Sequence, residues 1–194
     1  MRKISAEKAV RIITLAPVMA FLTLSILFGV RNGMFGGGAN YAAAVFFLTV
    51  LPLLAYPLQK VLPGWKEKGR SGQRSLAILM AVAGYIAGIL YAVAAAVPEG
   101  MLLVYLAYLF SGCLILLFNK GLKIKASGHA CGVAGPLALL VCLLGPAALF
   151  GLPVLGAVYW ASLRMGRHTW KELILGSMLP IAALLLAVLF LRLF

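Results

Sequence analysis

Long apolar runs alternate with short polar connections along the whole chain. Most of these runs approach the length of about 20 residues that a helix needs to cross the hydrocarbon core of a bilayer. The pattern predicts seven membrane-spanning helices, over residues 10–30, 41–59, 76–97, 101–118, 129–149, 152–165 and 173–193. The sixth is the shortest, so we expect it to be tilted or buried.

Turn residues separate several of these runs. Pro98-Glu99-Gly100 predicts a tight hairpin between the third and fourth spans, and Phe150-Gly151-Leu152-Pro153 predicts another between the fifth and sixth.

Gly84 and Gly88 lie four residues apart inside the third span. Such a pair of small residues lets helices approach closely, and we expect packing within this bundle, with homodimerisation as the alternative.

Composition agrees with this pattern. Hydrophobic residues make up 64% of the 194 residues, well above the roughly 45–50% typical of soluble domains. The chain is therefore expected to form a single all-α transmembrane domain, residues 1–194, as a polytopic bundle of six to seven spans. We expect it to be an integral, multi-pass protein of the cell membrane.

The charge of the chain is strongly positive, with 17 Lys and Arg against four acidic residues. In a membrane protein the distribution of charge among the loops matters more than the sum, so nucleic acid is not the expected partner. With seven spans, every basic residue except Arg31 and Arg192 falls on one face. The positive-inside rule predicts that this face is cytoplasmic, and the two histidines share it. The orientation stays the same when the loops containing the histidines are left out.

All four acidic residues are Glu, and the chain contains no Asp. Membrane enzymes that hold Mg²⁺ need clustered carboxylates, so magnesium-dependent prenyl or phosphoalcohol transfer is not expected. The three cysteines, Cys113, Cys131 and Cys142, lie in or beside spans without a CxxC pair. They are expected to be buried thiols, and neither a disulfide, a metal site nor a cofactor is predicted.

The two histidines are the candidate reactive groups. His129 follows Ser127-Gly128 at the start of the fifth span, and His168 precedes the seventh. An ionisable ring at a membrane boundary is costly, which makes it a functional candidate. Glu172 lies four residues after His168, so on a helix its carboxylate would meet the ring, fix its tautomer and activate it. The alternative is that Glu172 is a surface residue favoured by the helix dipole.

Basic and small residues surround both histidines. Backbone N–H groups of Ser127 and Gly128 at a helix N-terminus form an anion site. Cationic side chains with backbone donors suit a transferring phosphoryl group, and two histidines can serve as nucleophile and acid without a metal. The cationic residues of the two loops are Lys120, Lys123, Lys125, Arg164, Arg167 and Lys171.

These motifs resemble those of the type 2 phosphatidic acid phosphatase superfamily of integral-membrane lipid phosphatases. Its Pro-Ser-Gly-His motif is similar to the stretch Ala126–His129. Its third motif is Ser-Arg, five residues, His, three residues, Asp, often with Gly two before the His. Gly166, His168 and Glu172 fall in that register. The resemblance covers roughly residues 115–185, within a phosphatase-like core of roughly 76–194.

The resemblance implies a role for each motif residue. His168 would be the nucleophile that forms a phosphohistidine, and Glu172 would orient it. His129 would be the general acid, while Ser127 and the Gly128 N–H would bind phosphate. The substrate would be an amphiphilic phosphate or diphosphate lipid, such as a prenyl diphosphate, whose chain lies among membrane lipids.

Two parts of the family pattern are replaced in this chain. The Lys-x₆-Arg-Pro motif is absent, so Lys120, Lys123 or Lys125 would bind phosphate instead. The arginine of the third motif would fall at Ser162, so Arg164 or Arg167 would supply its charge. A cytoplasmic site also differs from many relatives, whose phosphate site is extracytoplasmic.

Two other functions were considered. A non-catalytic lipid-phosphate binder or transporter would use the same basic pocket without turnover. A hydrolase with Ser127 as nucleophile fails on geometry, because Ser127 and His129 are two residues apart and no Gly-x-Ser-x-Gly elbow is present.

Overall fold

The computed structural model describes residues 5–193, apart from the side chains of Arg70, Ser71 and Arg74. This part of the chain is almost entirely helical and contains no strand. Two π-helical turns, Phe46–Val50 and Leu117–Gly121, interrupt or extend the helices. The α-helices are α1 Ala6–Ile13, α2 Ala16–Arg31, α3 Gly38–Val45, α4 Leu51–Val61, α5 Gly69–Ala94, α6 Glu99–Leu116, α7 Gly128–Leu144, α8 Leu152–Arg164 and α9 Trp170–Leu193.

The fold is that of a polytopic membrane protein. Within the described residues, six helical segments are long and apolar enough to cross a bilayer, and α7 is a shorter apolar helix of 17 residues. The all-α transmembrane bundle expected from the sequence is therefore confirmed. The six segments are Ala16–Phe35, Gly38–Val61, Ser75–Ala94, Glu99–Gly121, Pro146–Arg164 and Trp170–Leu193.

The first predicted span, 10–30, is wrong at its beginning. The helix breaks at Thr14-Leu15, and a separate amphipathic helix, α1, precedes the spanning helix α2. Pro17 lies in the first turn of α2, where its missing N–H costs nothing. The apolar run continues through this break without interruption, which is why hydropathy alone did not separate the two helices.

The predicted boundary between the fifth and sixth spans is also wrong. Helix α7 ends at Leu144, because Gly145 has a φ of +92° and Pro146 cannot continue the helix. A 3₁₀ turn, Pro146–Gly151, then leads directly into α8. The short helix is consequently α7, and the Pro146–Arg164 segment reaches 19 residues.

Helix α9 packs on both α6 and α7. One of its faces is buried at intervals of three and four residues, as expected for a helix with one packed stripe. Small residues on this stripe allow close contact between helices. The stripe comprises Leu173, Gly176, Pro180, Ala183 and Ala187.

Glycines also set the packing of α5. A Cβ at Gly84 would overlap the carbonyl oxygen of Phe47, and one at Gly88 would overlap the ring of Tyr105. The close approach predicted for this pair therefore occurs inside the bundle. The cysteines differ from expectation, since Cys131 is buried but Cys113 and Cys142 are exposed on the surface of the bundle.

Gly176 determines how closely α9 approaches the segment before α7. A Cβ at this position would lie within 2.9 Å of the backbone nitrogen of Ser127 and would also overlap its carbonyl oxygen. We expect Gly176→Ala to lower the free energy of unfolding by about 1–3 kcal/mol, because backbone atoms cannot move aside as a flexible side chain can. Thermal unfolding in detergent measures this effect.

Gly29→Ala is the matched control, because a Cβ at Gly29 meets nothing within 4 Å. It is expected to leave the melting temperature unchanged or to raise it slightly. Equal melting temperatures for the two variants would contradict the packing described for Gly176.

Candidate functional site

Four segments of the chain meet at one end of the bundle: the end of α1, the start of α7, the end of α8 and the start of α9. The N–H of Ser127 donates to the carbonyl of Glu172 at 2.9 Å, which joins α7 to α9. The guanidinium of Arg11 lies 3.3 Å from the hydroxyl of Ser162 on α8 and 3.3 Å from His129 on α7. Both histidines lie in this region, and each is within electrostatic range of the other.

The end of α8 determines the position of His168 in this site. Gly166 has a φ of +60°, and its N–H donates to the carbonyl of Leu163 at 2.9 Å. The N–H of Arg167 donates to the carbonyl of Ser162 at 3.0 Å. Together these bonds form a Schellman motif, in which glycine is favoured at the left-handed position. The glycine two residues before His168 therefore ends one helix and directs the chain towards the next.

A capping box begins α9 and fixes Glu172. The N–H of Thr169 donates to Oε2 of Glu172 at 3.3 Å, and the N–H of Glu172 donates to the hydroxyl of Thr169 at 3.4 Å. This reciprocal pair satisfies two N–H groups at the helix start. Glu172 therefore does lie at a helix N-terminus, where the helix dipole favours a carboxylate. This position does not exclude a role at His168.

The same carboxylate oxygen holds His168. Oε2 of Glu172 lies 2.7 Å from Nδ1 of His168, as the four-residue spacing predicted. A carboxylate only accepts hydrogen bonds, so Nδ1 carries a proton. In the neutral ring, Nε2 then has a lone pair for use as nucleophile or base. The His168 and Glu172 side chains are only 13% and 16% exposed, which limits competition from water.

Of the three candidate lysines, the structure brings Lys125 to the histidine motifs. Its Nζ lies 3.2 Å from Oε2 of Glu172 and donates to the carbonyl of Arg167 at 3.4 Å. Lys120 and Lys123 are exposed, and within residues 5–193 neither makes a hydrogen bond or ion pair to a histidine motif. The prediction that they lie at the site is not supported by these contacts.

Asn119 and Ser127 hold the loop before α7. Asn119 exchanges hydrogen bonds with the backbone of Ala126 at 3.2 and 3.0 Å. The hydroxyl of Ser127 accepts from the N–H of Ala130 at 3.3 Å, so Ser127 is the N-cap of α7. Ser127 is fully buried whereas Gly128 is exposed. The helix N-terminus predicted as an anion site thus presents Gly128, and the Ser127 hydroxyl stabilises the helix.

Arg11 contacts both ring nitrogens of His129. Its guanidinium lies 3.3 Å from Nδ1, and its backbone carbonyl lies 3.2 Å from Nε2. A guanidinium only donates and a carbonyl only accepts, so this arrangement fits a neutral ring with its proton on Nε2. From the sequence alone, Arg11 is only one of the basic residues that determine topology. The sequence feature that could have identified Arg11 is its spacing from Glu7, because the two residues lie one helical turn apart in an amphipathic segment.

The structure distinguishes the candidate arginines. Ser162, where the family motif has arginine, is fully buried, and its hydroxyl accepts from Arg11 at 3.3 Å. Arg167 lies within electrostatic range of His129. Arg164 pairs instead with Glu7 at 3.1 Å and lies over the ring of Trp160 at 5.6 Å. The expectation that Arg164 belongs with the histidines is therefore not supported, and Arg11 takes the place beside Ser162.

Comparisons of the chain with protein-family models, with curated proteins and with solved structures give no significant match. Among the described residues, no three His, Cys, Asp or Glu side chains lie close enough together to hold a metal ion.

The electrostatic environment of His168 lowers its pKa. Burial favours the neutral ring and makes the largest contribution. The hydrogen bond and the charge of Glu172 raise the pKa, while the positive charges of Lys125 and Arg11 lower it. The net effect places the pKa below the usual value of about 6.5, so the ring is neutral near pH 7.

These opposing contributions predict opposite responses to two substitutions. Glu172→Gln removes the contributions that raise the pKa of His168, so the pKa is expected to fall further. Lys125→Met removes a nearby positive charge, so the pKa is expected to rise. The chain has only two histidines, so a ¹⁵N-histidine NMR titration of each variant, with assignment through His129→Gln, measures both shifts.

Lys60→Met is the control, because this exposed lysine lies in the last turn of α4, which is not one of the four segments that form the site. It is expected to leave the titration of His168 unchanged. Shifts in the same direction for Glu172→Gln and Lys125→Met would contradict the arrangement of charges described above.

Proposed function

We propose that the protein is a metal-independent membrane phosphatase, a divergent member of the type 2 phosphatidic acid phosphatase superfamily. It hydrolyses a lipid phosphate or prenyl diphosphate through a phosphohistidine at His168. The observation that carries this proposal is the 2.7 Å contact between Nδ1 of His168 and Glu172, because it leaves Nε2 with the lone pair that a nucleophile needs. The basic surroundings suit a phosphate group.

In the first step, Nε2 of His168 attacks phosphorus as the bond from phosphorus to the leaving oxygen breaks. Glu172 stabilises the positive charge that develops on the His168 ring. The negative charge of the bound phosphate favours the imidazolium form of His129, which donates its Nε2 proton to the leaving oxygen and becomes neutral.

In the second step, water attacks the phosphohistidine and transfers a proton to His129. The P–N bond breaks, inorganic phosphate leaves and both rings return to their starting states. Arg167, Lys125 and the N-terminal N–H groups of α7 stabilise the charge on the phosphoryl oxygens in both steps.

The membrane setting supports a lipid substrate. His168 lies just before the spanning segment Trp170–Leu193, and His129 lies at the start of the shorter apolar helix α7, so a headgroup can enter the site while its chain remains among membrane lipids. Isoprenoid diphosphates and glycerophospholipid phosphates fit this description equally well.

The site is proposed to face the cytoplasm from the cell membrane. This face of the protein carries basic residues in the connection between α4 and α5 and at the ends of α6 and α8, as the positive-inside rule expects of a cytoplasmic face. Arg2 and Lys3, which the sequence predicts for this face, lie outside the described residues. A cytoplasmic site favours substrates that are made in the cytoplasm.

A lipid-phosphate binder or transporter without turnover is the second candidate function. It is favoured by the engagement of both His129 nitrogens with Arg11, since an acid whose proton is already bound does not donate it readily. The two functions differ in what they require of His168.

Phosphate release from a panel of lipid phosphates and prenyl diphosphates, measured in EDTA, distinguishes these functions. Wild-type protein is expected to release phosphate without added metal, and His168→Ala to lose at least about 10³-fold in rate. Lys60→Met should retain the wild-type rate. Full turnover by His168→Ala, or a requirement for a divalent metal, would contradict the mechanism, while binding without turnover would support the second function.

The intermediate offers a direct check on the nucleophile. Protein quenched during turnover of a ³²P-labelled substrate is expected to carry an acid-labile, alkali-stable label, as a phosphoramidate does. The label should be absent from His168→Ala and should accumulate if a His129 variant slows its hydrolysis. An alkali-labile label would indicate an oxygen nucleophile instead.

Orientation is tested by cysteine labelling in a background without native cysteines. Leu122→Cys lies in the exposed loop beside the site, and Glu99→Cys lies at the opposite end of α6. In intact cells an impermeant maleimide is expected to label Glu99→Cys and not Leu122→Cys. The reverse pattern would place the site outside the cytoplasm.

A further inference from the structure

Helix α1 lies against α8 with Glu7 and Arg11 directed inward. Glu7 pairs with Arg164 at 3.1 Å, and Arg11 reaches Ser162 and His129. The apolar side chains Ile12 and Ile13 are instead 55% and 61% exposed. A short helix with this distribution suits the membrane interface, with its isoleucines towards lipid and its charged face on the protein.

The guanidinium of Arg11 occupies the space between the two histidine motifs. It touches His129 on α7 and Ser162 on α8, and its charge also acts on His168 at the start of α9. The charge of Arg167 acts on His129 and that of Lys125 acts on His168, whereas that of Arg11 acts on both rings. A phosphorus atom attacked by one histidine, with its leaving oxygen protonated by the other, must lie between those rings.

The hydrogen bonds that Arg11 makes to Ser162 and His129 are long. Its bonds to Ser162 and His129 are both 3.3 Å, longer than the roughly 2.7–2.9 Å of a hydrogen bond between charged groups. Both of these partners are neutral acceptors. A phosphate can offer two charged oxygens to the planar guanidinium, which is the geometry that arginine binds best.

We infer that Arg11 is a phosphate-binding residue of this site, carried into it by α1 from outside both histidine motifs. The ligand is a phosphate or diphosphate group, bound through two oxygens between His129 and His168. The role in turnover rests on the proposed phosphatase function, whereas anion binding by Arg11 does not. Because the exposed isoleucines of α1 suit the membrane interface, Arg11 is placed to meet a headgroup as it enters from the membrane.

The test compares Arg11→Gln and Arg11→Lys with Glu7→Gln, which breaks the ion pair of α1 to α8 without removing a contact to the histidines. Binding of orthovanadate and of inorganic phosphate to the full chain is measured by calorimetry, and kcat and KM by phosphate release. Arg11→Gln is expected to weaken orthovanadate binding by about 10- to 100-fold, since a hydrogen bond between charged groups is lost. Arg11→Lys should recover only part of this loss, and Glu7→Gln should stay within about twofold of wild type.

Chemical rescue distinguishes anion binding by Arg11 from a purely structural role of Arg11 in holding α1 against α8. Arg11→Ala is expected to regain orthovanadate affinity in millimolar guanidinium chloride, whereas the wild type and Glu7→Gln should not respond. Equal losses in Arg11→Gln and Glu7→Gln, or no rescue, would assign Arg11 to docking and overturn the inference.

The two proposals fail in different ways. Orthovanadate binding that depends on Arg11, in a protein that hydrolyses none of the lipids, would support the inference and refute the phosphatase. Turnover that is unchanged in Arg11→Gln would support the phosphatase and refute the inference. A wild-type protein that binds neither anion would also refute the inference.

Discussion

A single carboxylate oxygen, Oε2 of Glu172, connects most of the site. It accepts from His168, from the N–H of Thr169 and from Lys125, so one atom caps a helix, fixes a ring and anchors the loop before α7. The carbonyl of the same residue accepts from Ser127, which caps α7 in turn. Because these bonds share one residue, the orientation of His168 depends on the same contacts that hold α7 against α9.

The site is assembled from helix ends, and the bilayer gives a physical reason for this. Backbone groups within a spanning helix are satisfied internally, so only the terminal turns have N–H and carbonyl groups to contribute. The Schellman motif at Gly166, the capping box at Thr169 and the N-cap at Ser127 satisfy these groups locally. His168 lies between two of these caps, so its position is fixed although it belongs to the connection between α8 and α9.

What the sequence could predict was local. Hydropathy gave the spanning helices, and the four-residue spacing gave the pairing of His168 with Glu172, since both depend on a few consecutive residues. The contact of Arg11 with Ser162 could not be predicted in this way, because 151 positions separate them and the helix carrying Arg11 looked like part of a span. The ion pair of Arg164 could not be predicted for a related reason: its partner, Glu7, lies on that same unrecognised helix.

The shortness of α7 has a consequence for the surrounding lipid. Its 17 residues rise about 25 Å even when the helix stands perpendicular to the membrane, against a hydrocarbon thickness of about 30 Å. Any tilt increases this deficit of about 5 Å. The bilayer beside α7 is therefore expected to be locally thinned, with headgroups drawn inward. Such a depression beside His129 would shorten the distance that a lipid headgroup must travel out of the membrane plane to reach the histidines.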